Sequence, residues 1–301
     1  MLRSLAILAV SVLCAGPLAA QPAGPLADLG KLQSDSNAGR LQALREILKA
    51  HGIPFEERTF AGEGHNLVAT FGAGGREIVV GAHYDAVKLK DGTLSRGMVD
   101  DGAGVIALVR LAEALRGRPL RHRLRIVFFD QEELGLLGSK AFVAALKPAD
   151  VAAIAANINV DIVAYGDTLI FGGGKGEANA PLVRALQRVC AARRLACLEF
   201  SPHFPAGDDR SFDAAGIPNV SVAFVPAAEA HQLWLLLNGG KDSGLKEGFA
   251  PSLLRNMHSP GDTLEKVDPA TIDRTSALLQ DLVLELDSTL DGGRAQGDKR
   301  E

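Results

Sequence analysis

The order of its periodic segments predicts that this chain adopts an α/β fold, with a mostly parallel mixed sheet covered by helices on both faces. Strand-like apolar runs alternate with segments whose apolar residues recur at helical spacing. Hydrophobic residues make up 47% of the 301 residues and charged residues 23%, which is enough apolar material for a large core. Fibrous and largely disordered folds are therefore excluded.

The first half of the chain shows this alternation most clearly. Residues 37–51 have helical periodicity and are followed by Gly52 and Pro54, which stop helices. The further predictions are strands over residues 66–71, 77–81 and 124–129, helices over residues 102–115 and 136–146, and a buried apolar run over residues 153–163. Such an order is typical of parallel strands joined by crossover helices.

The second half continues the pattern with one interruption. We expect a helix over residues 180–194, a short strand near Leu198, a strand over residues 219–224 and a final helix over residues 269–290. Residues 227–256 interrupt the alternation and contain the single tryptophan, Trp234. The apolar run around Trp234 fits core, a pocket wall or a subunit contact, and the sequence leaves these alternatives open.

Residues 1–20 have the pattern of a secretory signal peptide, with Arg3, an apolar run and then small residues. The apolar run is too short to cross a bilayer, since a spanning helix needs about 20 apolar residues. We expect export to the periplasm or the extracellular space and no stable membrane insertion after cleavage. Residues 21–290 are predicted to form one domain, and the polar residues 291–301 a disordered tail.

Two cysteines, Cys190 and Cys197, remain in the predicted mature chain. Export would place them in an oxidising compartment, where a disulfide between the end of a helix and the start of the next strand is feasible. A bridge and a pair of free buried thiols both fit the sequence.

The charge balance of the chain limits its partners. A formal net charge of −4 and a pI near 6.0 leave no excess of Lys and Arg to hold a polyphosphate. We therefore expect peptide or small-molecule substrates and no nucleic acid. The sequence does not predict the oligomeric state.

Acids and a histidine recur where the predicted strands end. His83 and Asp85 follow one strand, Glu132 and Glu133 follow another, and Asp161 ends a third. Because sites in open parallel sheets form beyond the carboxyl ends of the strands, we expect these side chains to meet. Two adjacent carboxylates behind a buried strand repel each other and lose solvation unless cations neutralise them.

Two further segments extend this predicted cluster. Asp100 and Asp101 stand just before a predicted helix, and His258 lies in a loop. Each residue alone has a structural explanation, such as a helix N-cap for an aspartate in that position. Together, imidazoles and carboxylates without a thiolate predict a site for zinc or a similar divalent ion. The ligands suffice for two ions if one carboxylate bridges them.

Five segments in order resemble the motifs of the co-catalytic di-zinc exopeptidases, a family that includes secreted bacterial aminopeptidases, glutamate carboxypeptidase-like enzymes and glutaminyl cyclases. The segments are GAHYDAV, DDGAG, EELGLLGS, INVDIVAYGD and MHSPGDTLEKVD. Residues 208–218, DDRSFDAAGIP, are similar to the family segment before the last inner strand. The resemblance covers roughly residues 37–290.

The resemblance implies two zinc ions per chain and a role for each site residue. The implied metal ligands are His83 and Asp161 for one ion, Glu133 and His258 for the other, and Asp100 as the bridge. Glu132 is the implied general base that takes a proton from the attacking water. Asp85 would accept the second imidazole N–H of His83 and fix its tautomer.

The implied reaction is removal of N-terminal residues from peptides. A carboxypeptidase or dipeptidase of the same family is one alternative, and a glutaminyl-cyclase-like aminoacyltransferase is another. Those cyclases generally lack the first histidine and hold one zinc ion, so His83 favours a peptidase. Two positions depart from relatives: Met257 stands where some secreted aminopeptidases have a tyrosine as oxyanion donor, and Asp209 where many have a histidine.

Overall fold

The computed structural model describes residues 24–61, 63–174, 176–200, 204, 206–239 and 244–290. The predicted signal peptide, residues 1–20, and the predicted tail, residues 291–301, lie outside the described residues. Over the part of the chain that is described, no helix combines the length and the apolar character needed to cross a membrane.

An eight-stranded sheet runs through the described part of the chain in the order β1-β2-β4-β3-β5-β8-β6-β7. The strands are β1 (Glu56–Phe60), β2 (Gly64–Phe71), β3 (Glu77–His83), β4 (Arg123–Phe129), β5 (Ile154–Val160), β6 (Thr168–Gly173), β7 (Ala196–Glu199) and β8 (Asn219–Val225). The central strands β4, β3, β5 and β8 are parallel, whereas β1, β2 and β6 each pair antiparallel with a neighbour. The predicted mixed, mostly parallel α/β sheet is confirmed.

Helices cover both faces of this sheet, as the sequence predicts. They are α1 (Pro25–Lys31), α2 (Asn37–Ala50), α3 (Ala103–Leu115), α4 (Leu137–Ala144), α5 (Pro148–Ala153), α6 (Ala180–Arg193), α7 (Asp209–Ala214), α8 (Ala227–Asn238), α9 (Ser252–Asn256) and α10 (Pro269–Thr289). A π-helical turn, Met98–Gly102, precedes α3. The larger core lies under α2, α3, α6 and α10, and a smaller one lies under α4 and α7 on the other face.

Strand β3 shows how the two cores share the sheet. All its residues are buried, and Ile78 and Val80 face the larger core while Val79 faces the smaller one, because successive side chains point to opposite faces. Gly81 must lack a side chain, since a Cβ there would lie 2.4 Å from the ring of Phe129 on β4. This close packing fixes β3 against β4 just before both strands reach the site.

The sequence does not predict strands β1 and β6, for different reasons. Strand β1 is an edge strand of mostly polar, exposed residues, so it has no apolar run. Strand β6 is short and its segment ends in glycines, which weaken any strand pattern. Both strands are held by pairing with a neighbour, β2 in one case and β8 in the other.

Two questions left open by the sequence have structural answers. Cys190 on α6 and Cys197 on β7 form a disulfide, with their Cα atoms 6.3 Å apart. In α8, Leu233 is buried in the larger core, whereas the neighbouring Trp234 is 37% exposed. The apolar run around Trp234 therefore contributes core on one helix face only.

Candidate metal centre

Three neighbouring parallel strands deliver side chains to one edge of the sheet. Strand β3 ends at His83, β5 is followed directly by Asp161, and β4 is followed by the turn that carries Glu132 and Glu133. Since β4, β3 and β5 are adjacent and parallel, their carboxyl ends lie side by side. The structure thus brings together the strand-end residues that the sequence singles out.

The first group of potential ligands consists of His83, Asp100 and Asp161. The Nε2 atom of His83 lies 3.0 Å from Oδ1 of Asp100 and 4.0 Å from Oδ1 of Asp161. His83 and Asp100 are almost completely buried. One donor atom from each of the three residues lies within 4.8 Å of the other two, which is close enough for a single ion to contact all three.

The second group consists of Asp100, Glu133 and His258. The Nε2 atom of His258 lies 2.9 Å from Oε2 of Glu133 and 3.3 Å from Oδ2 of Asp100. His258 lies in the loop after α9, and its side chain is half-exposed. Asp100 therefore directs one carboxylate oxygen at each histidine, and it belongs to both groups.

Asp85 joins the β3 edge to the turn after β4. Its Oδ1 atom accepts a hydrogen bond of 3.0 Å from the backbone N–H of Glu132, and its Oδ2 accepts one of 3.2 Å from the N–H of Glu133. Oδ1 also lies 3.4 Å from Nδ1 of His83. The carboxylate is fully buried, so it fixes the positions of both glutamates relative to His83.

Asp262 holds the turn that carries Asp100. Its carboxylate accepts hydrogen bonds from the backbone N–H groups of Met98, Val99 and Asp100, at 2.7, 2.5 and 3.2 Å. Burial raises the pKa of Asp262 to about 6, which leaves the carboxylate ionised at neutral pH. Because Asp262 lies four residues after His258, it also ties the two loops of the second ligand group together.

A buried cation, Arg40 on α2, binds the backbone of the loop after β3 and of the segment before the Asp100 turn. Its guanidinium donates to the backbone carbonyls of Tyr84, Leu32, Arg96 and Gly97. Tyr84 lies between His83 and Asp85, and Gly97 directly precedes the turn of Asp100. Arg40 therefore connects α2 to both loops and places a positive charge beneath the acidic cluster.

The pKa shifts in the cluster indicate a concentration of negative charge that would favour bound cations. Burial, followed by the charge of Asp100, raises the pKa of Asp161 well above its usual range. Contacts with Asp100 and Glu133 raise the pKa of His258 to about 10. Burial also raises the pKa of Glu132, although the nearby His83 opposes that shift. Without a bound cation, protons must neutralise part of this carboxylate charge.

Unpartnered buried oxygens test whether metal ions fit the cluster. Oε1 of Glu133 and Oδ1 of Asp161 are buried and have no hydrogen-bond partner among the described residues. Buried carboxylate oxygens without a partner are costly unless a cation contacts them. Imidazole nitrogens and carboxylate oxygens without sulfur are a donor set that zinc accepts. The residues present therefore fit divalent metal ions.

Sequence reasoning missed Asp208, a fully buried carboxylate close to Glu132. Burial, followed by the charge of Glu132, raises the pKa of Asp208 to about 8. Its neighbour Asp209 is also buried and accepts a hydrogen bond of 2.7 Å from the N–H of Gly207. Gly207 in turn lies so close to the site that a Cβ there would be 3.1 Å from Oδ2 of Asp161.

Both tyrosine hydroxyls have hydrogen-bond partners within the chain. Tyr84 is buried and donates its hydroxyl hydrogen bond to the carbonyl of His65. The hydroxyl of Tyr165 accepts a hydrogen bond from Ser252. Met257 packs against the larger core. None of these contacts identifies the oxyanion donor that the resemblance leaves open.

This sheet, with an imidazole and carboxylate cluster at the carboxyl ends of its strands, defines the chain as a metallopeptidase-like α/β protein. The family model described as Peptidase family M28 matches residues 66–283, from β2 through most of α10. The chain belongs to Peptidase family M28, and the family expected from the motifs is confirmed.

Individual relatives are similar over part of their length. Aminopeptidase YwaD of Bacillus subtilis is 35% identical over 86 residues, which are 29% of this chain and 18% of that protein. The chain thus spans about a fifth of the length of this relative.

Two solved structures show the same fold at low sequence identity. The zinc aminopeptidase BSAP of Bacillus subtilis matches 73% of this chain and 49% of its own, with a TM-score of 0.58 and 20% identity. A glutaminyl cyclase of Porphyromonas gingivalis matches 88% of this chain and 97% of its own, with a TM-score of 0.64 and 19% identity.

Proposed function

We propose that this chain is an exported, zinc-dependent aminopeptidase that removes N-terminal residues from peptides. The observation that carries the proposal is the shared carboxylate of Asp100, which faces His83 with one oxygen and His258 with the other. Two cations bridged by one carboxylate would have this arrangement of ligands. Membership of Peptidase family M28 supports a peptidase reaction.

The proposed ligands of the two zinc ions correspond to the two groups of neighbouring side chains. His83 and Asp161 would hold one ion, Glu133 and His258 the other, and Asp100 would bridge. The similar Bacillus subtilis protein BSAP is a zinc aminopeptidase, which supports zinc as the metal. When bound, the two ions would polarise the scissile carbonyl and lower the pKa of the attacking water toward ~7.

The proposed catalytic base is Glu132. Its backbone is fixed by Asp85, and burial has already raised the pKa of its side chain. A carboxylate with a raised pKa holds a proton better, so Glu132 can take a proton from the attacking water and pass it to the leaving amine. The proposed role of Asp85 is orientation, since its carboxylate lies beside the imidazole of His83 and accepts from the backbone N–H of Glu132.

The proposed cellular setting follows from residues 1–20. Their signal-peptide pattern supports export to the periplasm or the extracellular space, followed by cleavage that leaves residues 21–290 as the catalytic unit. The disulfide between Cys190 and Cys197 fits an oxidising compartment.

The test of this function is a substrate panel that separates the three family reactions. Zinc-loaded protein should hydrolyse leucine amide and Leu-Ala-Ala and should not cleave their N-acetylated forms. Chelation should abolish the cleavage, and added zinc should restore it. Cleavage of acetylated peptides from the C-terminus contradicts the proposal and indicates a carboxypeptidase. A loss of 17 Da from a peptide with N-terminal Gln, without peptide cleavage, indicates a cyclase.

A further inference from the structure

A cleft of about 540 Å³ opens directly beside His258. One wall is formed by the segment from Val87 to Asp91, and the other by residues 258–260. His258 belongs to both the cleft and the second ligand group. A substrate whose reacting atoms lie at the proposed zinc ions could therefore extend into the cleft.

The first wall is a tight hairpin that begins shortly after Asp85. The N–H of Ser95 donates to the carbonyl of Val87 at 2.9 Å, and the N–H of Leu89 donates to the carbonyl of Thr93 at 2.7 Å. Gly92 provides the positive φ, 89°, that the turn requires. The Ser95 hydroxyl donates to the carbonyl of Ser259 at 3.4 Å and so ties the hairpin to the opposite wall.

The cleft combines apolar side chains with two positive charges. Val87, Leu89 and Pro260 supply the apolar surface, and Lys88 and Lys90 are exposed at the hairpin. Within the described ranges, neither lysine forms an ion pair.

The one acid in the cleft is occupied by the turn itself. The carboxylate of Asp91 accepts hydrogen bonds from the backbone N–H and the hydroxyl of Thr93, at 2.9 and 2.7 Å. Two ammonium groups against one carboxylate leave the hairpin wall with a net positive charge, which favours a ligand of the opposite charge.

Charge decides which end of a peptide faces this cleft. The protonated N-terminus of a substrate is repelled by Lys88 and Lys90, which disfavours the N-terminal residue in this cleft. The segment on the leaving side of the scissile bond is left for the cleft. A carboxylate in that segment complements the two lysines, and an apolar leaving side chain complements the cleft surface.

We propose that Lys88 and Lys90 form a recognition site for a carboxylate on the leaving side of the substrate, that is, C-terminal to the scissile bond. This proposal rests on the proposed aminopeptidase function. The cleft borders His258, a proposed zinc ligand, and extended peptide spans about 3.3–3.6 Å per residue, so we place that carboxylate within a residue or two of the scissile bond. The C-terminal carboxylate of a dipeptide or tripeptide meets this requirement, and so does the side chain of an acidic leaving residue. The enzyme is thus specialised for short or acidic peptides.

The experiment compares kcat/KM for matched substrates that differ only in this carboxylate. Leu-Leu is compared with Leu-Leu-amide, and Leu-Glu-amide with Leu-Gln-amide, so that the two sources of the carboxylate are separated. Two partly exposed ion pairs predict a preference of about tenfold for the carboxylate, weaker at high salt. The variant Lys88→Gln/Lys90→Gln should reduce the ratio to about one, and the exposed-lysine control Lys49→Gln should leave it unchanged.

The ratio is the readout because a general loss of activity cancels in it. A wild-type ratio near one in both pairs, or a ratio that the double variant does not change, overturns the carboxylate site. A preference confined to one pair keeps the site and identifies the source of the carboxylate. Leucine amide has no leaving residue and serves as the reference: if zinc-loaded wild type does not hydrolyse it, the proposed aminopeptidase function fails instead.

Discussion

The buried carboxylate of Asp85 accepts a hydrogen bond of 3.0 Å from the backbone N–H of Glu132. The two residues follow different strands, and this contact is what sets the turn after β4 against the end of β3. The same carboxylate also accepts from the N–H of Glu133. One side chain therefore positions a proposed base and a proposed ligand together.

Replacing Asp85 tests this positioning role. In Asp85→Asn, an amide N–H₂ would face one of the two backbone donors, so one hydrogen bond becomes a repulsive contact. We expect a loss of about 10–100-fold in zinc affinity or in kcat/KM, as for other residues that orient metal ligands. The exposed Asp35→Asn serves as control, and a variant with wild-type zinc affinity and turnover contradicts the role.

Replacing Glu132 separates catalysis from metal binding. Because Glu132 is proposed to move a proton and not to bind zinc, Glu132→Gln should retain its metal content while kcat falls by at least about a hundredfold. Zinc is measured by elemental analysis and kcat on leucine amide, with Glu46→Gln on the surface of α2 as the matched control. Near-normal turnover of the zinc-loaded variant contradicts the assignment of the base.

Zinc binding should release protons at pH 7. In the metal-free protein, contacts with Asp100 and Glu133 raise the pKa of His258 to about 10, so this imidazole holds a proton at neutral pH, and the pKa values of His83 and Asp161 are also raised. Ligands must lose their protons, and lowering the pH therefore weakens zinc binding. We expect release of at least about one proton per chain, from His258, measured by calorimetry in buffers of different ionisation enthalpy.

Variants of two histidines provide the comparison for this release. His258→Gln removes one proton-carrying ligand and should release fewer protons, whereas the exposed His231→Gln should match wild type. A wild-type protein that binds zinc without releasing protons refutes the proposed ligand set.

Removal of the buried cation should destabilise the fold. Arg40→Met leaves the carbonyls of Tyr84 and Arg96 without their Arg40 donor, and each unsatisfied buried group costs about 1–3 kcal/mol. We expect the free energy of unfolding in urea to fall by at least about 3 kcal/mol. The control is Arg45→Met, which removes a half-exposed ion pair with Glu57. Equal losses in the two variants are incompatible with a bracing role for Arg40.

Prediction of the fold from sequence succeeded where burial leaves a local pattern. Strand β3 is buried on both faces and therefore reads as a continuous apolar run. Strand β1 is defined by its pairing with β2 and not by its own residues, so no local pattern marks it. The state of Cys190 and Cys197 depended in the same way on a tertiary distance.

For the candidate site, the sequence predicts the acids and histidines and the orienting residue Asp85, but not the supporting roles of Asp262 and Arg40. Asp262 lies inside a recognised motif, yet its hydrogen bonds reach back more than 160 residues to Val99 and Asp100. Arg40 belongs to a regular helix, where an arginine is ordinarily solvated. Both roles arise from long-range contacts with backbone groups, which carry no residue-type signature.

The most direct test of the central claim is anomalous diffraction at the zinc absorption edge from crystals of the zinc-loaded protein. We expect two peaks about 3.5–4 Å apart, one in contact with His83 and Asp161 and the other with Glu133 and His258. The carboxylate of Asp100 should contact both peaks. A single peak, or two peaks that do not share Asp100, would rule out the proposed two-ion site.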